Sequence, residues 1–146
     1  MAARHLRDWT RLDESLGQAL TTVIHLDANF LVGLSRESPR ETASLKAWVS
    51  EQRPIATSTI AWTEFLCGPI ASEAVIALSE LVGEPVPFEA SDSGKAAALF
   101  NGTGRRPRSL MDCMIAAVAL RSRASVATRN VKDFRRFAEF GLRVAE

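Results

Sequence analysis

The sequence contains no run long and apolar enough to cross a bilayer. Its longest uncharged apolar stretch of note, Cys113 to Leu120, falls well short of the roughly 20 residues a membrane helix needs. The N-terminal segment lacks the apolar centre of a secretory signal, because Arg4, Arg7, Asp8, Arg11, Asp13 and Glu14 are scattered through it. A cytoplasmic protein is therefore expected. Cysteine is scarce: Cys67 and Cys113 stand far apart, with neither a C-x-x-C pair nor the spacing of a zinc site. Both are expected to be buried free thiols among apolar neighbours. There is no G-x-G-x-x-G after the first apolar run and no G-x-x-x-x-G-K-S/T, which removes dinucleotide binding and P-loop chemistry. Internal repeats and low-complexity tracts are lacking too.

What is present describes one domain. A length of 146 residues, with 47% hydrophobic and 24% charged side chains, is ordinary for a globular chain and suffices to bury roughly two thirds of the unfolded surface. The net charge of +1 hides an uneven distribution. Residues 1–100 hold 8 basic and 13 acidic side chains, a net of −5, whereas residues 101–146 hold 10 and 4, a net of +6. A basic C-terminal third suits a polyanionic partner, although solvated helix faces carry such charge as well.

Apolar runs alternate with helical spacing along the chain. The lead at residues 1–21 places Leu6, Trp9, Leu12, Leu16 and Leu20 at near-helical intervals, which predicts an amphipathic helix that docks. Thr22 to Asp27 is nearly continuous in apolar and β-branched residues, the pattern of a strand covered on both faces. Helices are expected from Ala28 to about Glu37, with Phe30, Leu31 and Leu34 inward, and from Arg40 to Gln52 behind Pro39, with Leu45, Trp48 and Val49 inward. A second strand, Ile55 to Ser58, leads into a helix from Thr59 to Leu66 that Gly68 and Pro69 stop. Ser72 opens a helix through Val75, Ile76, Leu78, Leu81 and Val82. Pro85 to Phe88 reads as a third strand, and Ser91 with Asp92 as the cap of a helix from Ser93 to Phe100. A loop rich in Gly and Arg, residues 101–108, precedes the most apolar helix, Ser109 to Arg121. A strand at Ser125 to Thr128, a helix at Asn130 to Glu139 with Phe134 and Phe137 inward, and a strand at Leu142 to Ala145 complete the chain. This alternation implies an α/β fold, three α/β/α layers around a central parallel sheet of four to five strands with right-handed crossovers.

Three acids sit where simple patterning would not put them. Asp27 ends the first strand, Glu64 lies between Trp62 and Phe65 in an apolar helix, and Asp112 opens the most hydrophobic helix. Each has a plain alternative: Asp27 as a helix cap, Glu64 on a solvated face, Asp112 as a favourable charge at a helix N-terminus. Strand ends and helix starts of a parallel sheet nevertheless lie along one rim, where such folds bind ligands. Three carboxylates meeting there repel one another, and a hard divalent cation held through oxygen relieves that repulsion. With no His or Cys ligands in the set, Mg²⁺ or Mn²⁺ fits. A carboxylate-bound metal beside a basic rim describes phosphodiester hydrolysis.

The same residues carry a family resemblance that covers the chain from Thr22 to Val144. Leu26-Asp27-Ala28-Asn29, then Thr63-Glu64-Phe65 ahead of Gly68, then Asp112 with Ile115-Ala116-Ala117, then Ala127-Thr128-Arg129-Asn130 with Asp133-Phe134 resemble the PIN domain, and specifically the VapC toxins of bacterial toxin-antitoxin pairs. The resemblance implies a Mg²⁺- or Mn²⁺-dependent endoribonuclease acting on transfer RNA or another structured RNA, with a PIN domain over residues 22–146 behind an N-terminal extension. It implies Asp27, Glu64 and Asp112 as metal-bearing acids and Asn130 at the fourth position, which is acidic in some members. Asn130 there puts a fourth carboxylate in doubt, and leaves Asp133, one turn later, to act through water or to cap its helix. Thr128 and Asn29 either hydrogen-bond the site or shape its turns. A homodimer is implied, together with a VapB-type antitoxin that fills the groove and brings the pair to operator DNA. The lead at residues 1–21 departs from members that begin at the first strand; a structural overhang, an antitoxin contact and an upstream start are its readings.

His25, two residues before Asp27, shares its face if the strand is regular; a general base is one reading, and a buried structural histidine is the expected one, since a metal activates water itself. Arg108, Arg129 and Lys132, with Arg105, Arg106, Arg135 and Arg136 around them, are candidates for an RNA backbone, a contact that positions without reading sequence. Trp48 and Trp62 lie on apolar helix faces and are expected in the core. Two competing functions stand beside the nuclease. One is a PIN-like nucleic-acid-binding module with little turnover, acting with its partner on operator DNA. The other is a phosphatase with a nucleophilic Asp27, a chemistry that usually has a second acid where Asn29 stands.

Overall fold

Strand β1 (Ile24–Leu26) is buried along its whole length, as the apolar run predicts. The structure, a computed structural model, describes residues 22–146; the helix expected in the lead lies outside them. β1 pairs in parallel with β2 (Ile55–Ala56) on one side and β3 (Ser125–Ala127) on the other. β4 (Arg143–Val144) joins the far edge of β3, also in parallel. The sheet order is β2-β1-β3-β4, so the chain builds outward in opposite directions from β1 and β3, the geometry that opens a crevice at the carboxyl ends of those two strands.

Seven α-helices cover the described sheet: α1 (Ala28–Ser35), α2 (Pro39–Ser50), α3 (Thr59–Leu66), α4 (Ser72–Val82), α5 (Ala90–Gly102), α6 (Leu110–Arg121) and α7 (Val131–Arg135). They pack into two cores, which gives the three layers the alternation implies. One core gathers Ile24 and Leu26 with Phe30, Leu31, Trp48, Phe65 and Leu78. The other gathers Val126 with Leu99, Phe134, Phe137 and much of α6. Cys113 and Ile115 through Ala119 are all buried, as befits a helix apolar on every side. No helix among the described residues is long and apolar enough to cross a membrane.

The structure differs from the pattern-based expectations at several places, each for a physical reason. Pro85 to Phe88 is not a strand. Pro85 and Pro87 remove the backbone donors on either side of Val86, which alone forms a bridge with Ser58, its N–H donating to Thr57 O at 2.8 Å. The sheet therefore has four strands. Val49 and Ile76 face solvent at 53% and 60% exposure; the buried stripe of α2 runs instead through Glu41 and Trp48. Helix α7 stops at Arg135, and a 3-10 turn at Ala138–Phe140 follows, which lets Phe134 and Phe137 meet edge to face at 5.8 Å. Cys113 is buried, but Cys67, at the C-cap of α3, is exposed. Trp48 is in the core, whereas Trp62 is only partly covered.

Helix α5 starts earlier than expected because Glu89, not Ser91, is its cap. Glu89 and Asp92 form a reciprocal capping box, the Glu89 N–H donating to Asp92 Oδ2 at 2.9 Å. Buried Asp92 also accepts from Arg121 Nε at 3.0 and 3.1 Å, and Arg121 Nη2 donates to Pro87 O at 2.7 Å. One carboxylate thus caps α5 and ties it to the end of α6. Asp92→Ala removes both functions while leaving Arg121 able to hydrate. It is expected to cost about 2 kcal/mol in urea denaturation, and a loss under about 0.5 kcal/mol, the scale of an ordinary surface change, would show that the clamp is dispensable.

Candidate active site

Asp27 follows β1 directly and serves as N-cap of α1. Its Oδ1 accepts from Ala28 N at 2.8 Å, and its Oδ2 accepts from the Thr128 hydroxyl at 2.8 Å. The cap reading and the site reading therefore both hold, on different oxygens. Thr128 has a single hydroxyl proton. It lies nearer Asp27 than Asn29 Oδ1, 3.3 Å away, so the proton belongs to the Asp27 bond. Asn29 Oδ1 accepts from Arg129 N at 2.9 Å, and the Thr128 oxygen accepts from Asn130 N at 3.0 Å. These bonds stitch the ends of β1 and β3 together at the crevice. Thr128 and Asn29 thus both shape a turn and touch the site.

Glu64 and Asp112 reach the same rim from helices. Ser58 caps α3 by accepting from Ala61 N at 3.1 Å, and Glu64 sits near the end of that helix. Asp112 lies in the first turn of α6. The acids act on one another electrically. Burial raises the Asp27 carboxyl above its ordinary range, against the opposing pull of Thr128 and Ala28. Burial, then the charges of Asp27 and Asp112, raise Glu64. Burial and Asp27 push Asp112 up to about 6, with Arg136 opposing and Asp133 adding to the rise. Asp27, Glu64 and Asp112 therefore converge, and Asp133, from α7, is part of their electrostatic neighbourhood. Asn130 is exposed and its side chain makes no cap bond to α7.

The donor chemistry suits a hard divalent cation, because carboxylates that raise one another's pKa gain most from a positive charge among them. Among the described residues, no three acid, His or Cys side chains stand close enough together to hold a metal ion as they are; a cation would have to draw the three carboxylates inward or be reached in part through water. In the cation-free protein their repulsion destabilises the fold above pH 6. Asp112→Asn, which keeps the shape and removes one charge, is expected to raise stability by about 1–2 kcal/mol at pH 7 after allowing for solvent screening. The gain should vanish near pH 4, where Asp112 is protonated in the folded protein. Urea melts in EDTA at both pH values measure it, and an unchanged or lower stability at pH 7 would contradict the repulsion.

The basic residues divide. Arg105, Arg106, Arg108 and Lys132 are exposed, and Arg105 and Arg108 have left-handed backbones, at φ 52° and 65°. Arg136 is not free for RNA as the sequence suggested. It sits 3.8 Å from Asp112 Oδ2 with a side chain 15% exposed, its guanidinium 4.8 Å above the Phe137 ring. Arg135 pairs with Glu146 at 2.7 Å. Arg129 Nε lies 3.0 Å from Oε1 of Glu41, an acid that is 2% exposed. Glu41 is the residue that pattern reading missed, although its spacing from Leu45 and Trp48, four and seven residues on, continues the buried stripe of α2. His25 is buried, its Nδ1 has no partner, and burial, then Arg121, lower its pKa to about 4, the state of a neutral core histidine.

Comparison with known proteins bears on this arrangement. A family model described as the PIN domain matches residues 24–140. No curated protein matches the chain. Among solved structures, VapBC-1 from nontypeable Haemophilus influenzae aligns at 23% identity and TM-score 0.66, covering 84% of this chain and 96% of the matched one. VapBC2 from Rickettsia felis, bound to a DNA fragment from their promoter, aligns at 18% identity and TM-score 0.64, covering 79% and 92%. FitAcB from Neisseria gonorrhoeae aligns at 19% identity and TM-score 0.60, covering 86% and 97%. At these identities the shared feature is the fold.

Proposed function

Because the chain belongs to the PIN-domain family, we infer that it is a metal-dependent endoribonuclease, the toxin of a toxin-antitoxin pair, that hydrolyses phosphodiester bonds in transfer RNA or another structured RNA. The observation that carries this reading is the nearness of the three acids at the crevice where β1 and β3 diverge: buried Asp27 raises both Glu64 and Asp112 by its charge, and Asp112 raises Glu64 as well. Those three side chains would hold Mg²⁺ or Mn²⁺, with Asp133 acting through water. When bound, such an ion supplies an activated water and offsets charge on the phosphoryl oxygens.

The chain's own residues do the rest. Thr128 fixes the Asp27 carboxylate by donating to Oδ2, leaving each oxygen a free lone pair directed by an existing hydrogen bond. Arg136 balances part of the Asp112 charge, which keeps the acids ionised near neutral pH. Arg108, Arg129 and Lys132 bind the RNA backbone at the rim, and Asn130 at most orients a water or phosphate from its exposed position. The fold likeness to VapBC and FitAB complexes, two of them with bound DNA, supports an antitoxin partner and operator DNA reached through it; a homodimer in a cytoplasmic setting completes the proposal.

The test is cleavage of purified total RNA by the partner-free protein with Mg²⁺ or Mn²⁺ and with EDTA. Discrete fragments that appear with metal and disappear with EDTA are expected, and end-mapping then names the target. RNA left intact by a folded preparation in both metals would overturn the nuclease reading.

A further inference from the structure

Glu41 is an expensive residue to keep. It is 2% exposed, one carboxylate oxygen has no hydrogen-bond partner, and its only charge partner among the described residues is Arg129. Replacing a buried ion pair with apolar groups is often neutral or stabilising, so stability alone does not account for an acid in the Leu45–Trp48 stripe. The surrounding chain also makes room for it. A Cβ on Gly33, inside α1, would lie 2.8 Å from both Glu41 Cγ and Cδ. The missing side chain in α1 is what allows this carboxylate to lie against that helix.

Its partner is placed for work. Arg129 stands between Thr128, which donates to Asp27, and Asn130, and its backbone N–H is held by Asn29. Its side chain is 53% exposed, while Nε lies 3.0 Å from the Glu41 carboxylate as an ion pair. A guanidinium held at one edge and open to solvent elsewhere is pre-oriented for bidentate contact with a phosphate, the geometry at which Arg excels over Lys. Resting on the RNA reading above, we propose that Glu41 is a positioning residue that sets Arg129 to grip a backbone phosphate of the RNA strand beside the acids. Gly33 is the second part of the device.

The test reads Arg129 directly, without turnover. In ¹⁵N NMR spectra the Arg129 Nε–H signal, identified by its loss in Arg129→Lys, is expected to exchange slowly with water in the wild type and at least about ten-fold faster in Glu41→Gln. Adding a short single-stranded RNA in EDTA should move that signal in the wild type. Glu41→Gln and Arg129→Ala should each weaken RNA binding several-fold, and the double variant no further, because both act through one contact. Should Glu41→Gln fold poorly, Gly33→Ala displaces the carboxylate by another route and should reproduce the faster exchange and weaker binding. Exchange unchanged in both variants, an Arg129 signal indifferent to RNA, or additive losses in the double variant would each overturn the proposal. An Arg129 signal that answers to RNA in a protein that never cleaves it would remove the nuclease reading and leave this one standing.

Discussion

Asp27→Asn and Asp112→Asn should each lower metal-dependent RNA cleavage by at least about 10³-fold with the fold intact. A loss of that size corresponds to roughly 4 kcal/mol of transition-state stabilisation, the several kcal/mol expected when an ion that offsets phosphoryl charge is displaced or misplaced. The asparagine variants are the informative ones. In Asp27→Asn the amide oxygen can still accept from Ala28 N, and the amide NH2 can donate to the Thr128 oxygen once that hydroxyl turns its proton to Asn29 Oδ1, so the turn at the end of β1 survives the loss of charge with one bond reversed. Asp112→Asn leaves the buried residues of α6 untouched. Electrostatic position ranks the remaining candidates. Asp133 contributes to the raised pKa of Asp112, so Asp133→Asn is expected to cost about ten-fold, a long-range charge effect of roughly 1.4 kcal/mol. Asn130→Ala should stay within about three-fold, under roughly 0.7 kcal/mol by the same conversion. Single-turnover cleavage of the mapped RNA with Mg²⁺ measures all four, alongside thermal melts. Asp27→Asn cutting at the wild-type rate would remove the assignment, and Asn130→Ala falling as far as Asp27→Asn would move the fourth position back from Asp133 to Asn130.

Much of this arrangement was legible because local signals agreed with the fold. The run from Val23 to Leu26 is apolar apart from His25, and Ile24–Leu26 forms a buried strand. Thr59–Leu66 begins behind the Ser58 cap and ends ahead of Gly68, and Ser72–Val82 begins at the serine that the pattern names, although Ala71 precedes it without a cap bond. Asp27, Glu64 and Asp112 stood out because each is a charge in an apolar setting, and those are the residues that the sheet and helices bring to one rim. What was illegible depended on contacts far apart in the chain. Pro85 and Pro87 are a local sign that the segment pairs poorly, but nothing near them names distant Ser58 as the one residue that Val86 bridges. Nothing near Arg136 distinguishes a phosphate ligand from the counter-charge of Asp112, because that pairing spans α6 and the segment just after α7. Glu41 was hidden by its type: an acid in a helix reads as solvated, and only the space left by Gly33 and the reach of Arg129 reverse that reading.

Below neutral pH the fold should be pulled in two directions, and the larger pull should come from His25. Its folded pKa is about 4 against 6.5 for the free side chain, so the folded protein binds fewer protons than the unfolded chain. Stability contributed by the neutral imidazole is therefore fully present above pH 6.5 and falls away as pH drops toward 4, by about 3 kcal/mol in all. Asp112 runs the other way. Its folded pKa is near 6, above the ordinary 3.8, so its destabilising charge is relieved as pH falls through 6, and part of the histidine's loss is masked. Wild-type urea melts between pH 7 and 4.5 should thus show a shallow decline. His25→Leu removes the first titration and should lose less stability across that range than the wild type, or gain some, whatever its stability at pH 7. Asp112→Asn removes the compensation and should decline more steeply. Parallel curves for wild type and His25→Leu would mean that the imidazole is hydrated or partnered, and that a neutral core histidine is the wrong description of β1.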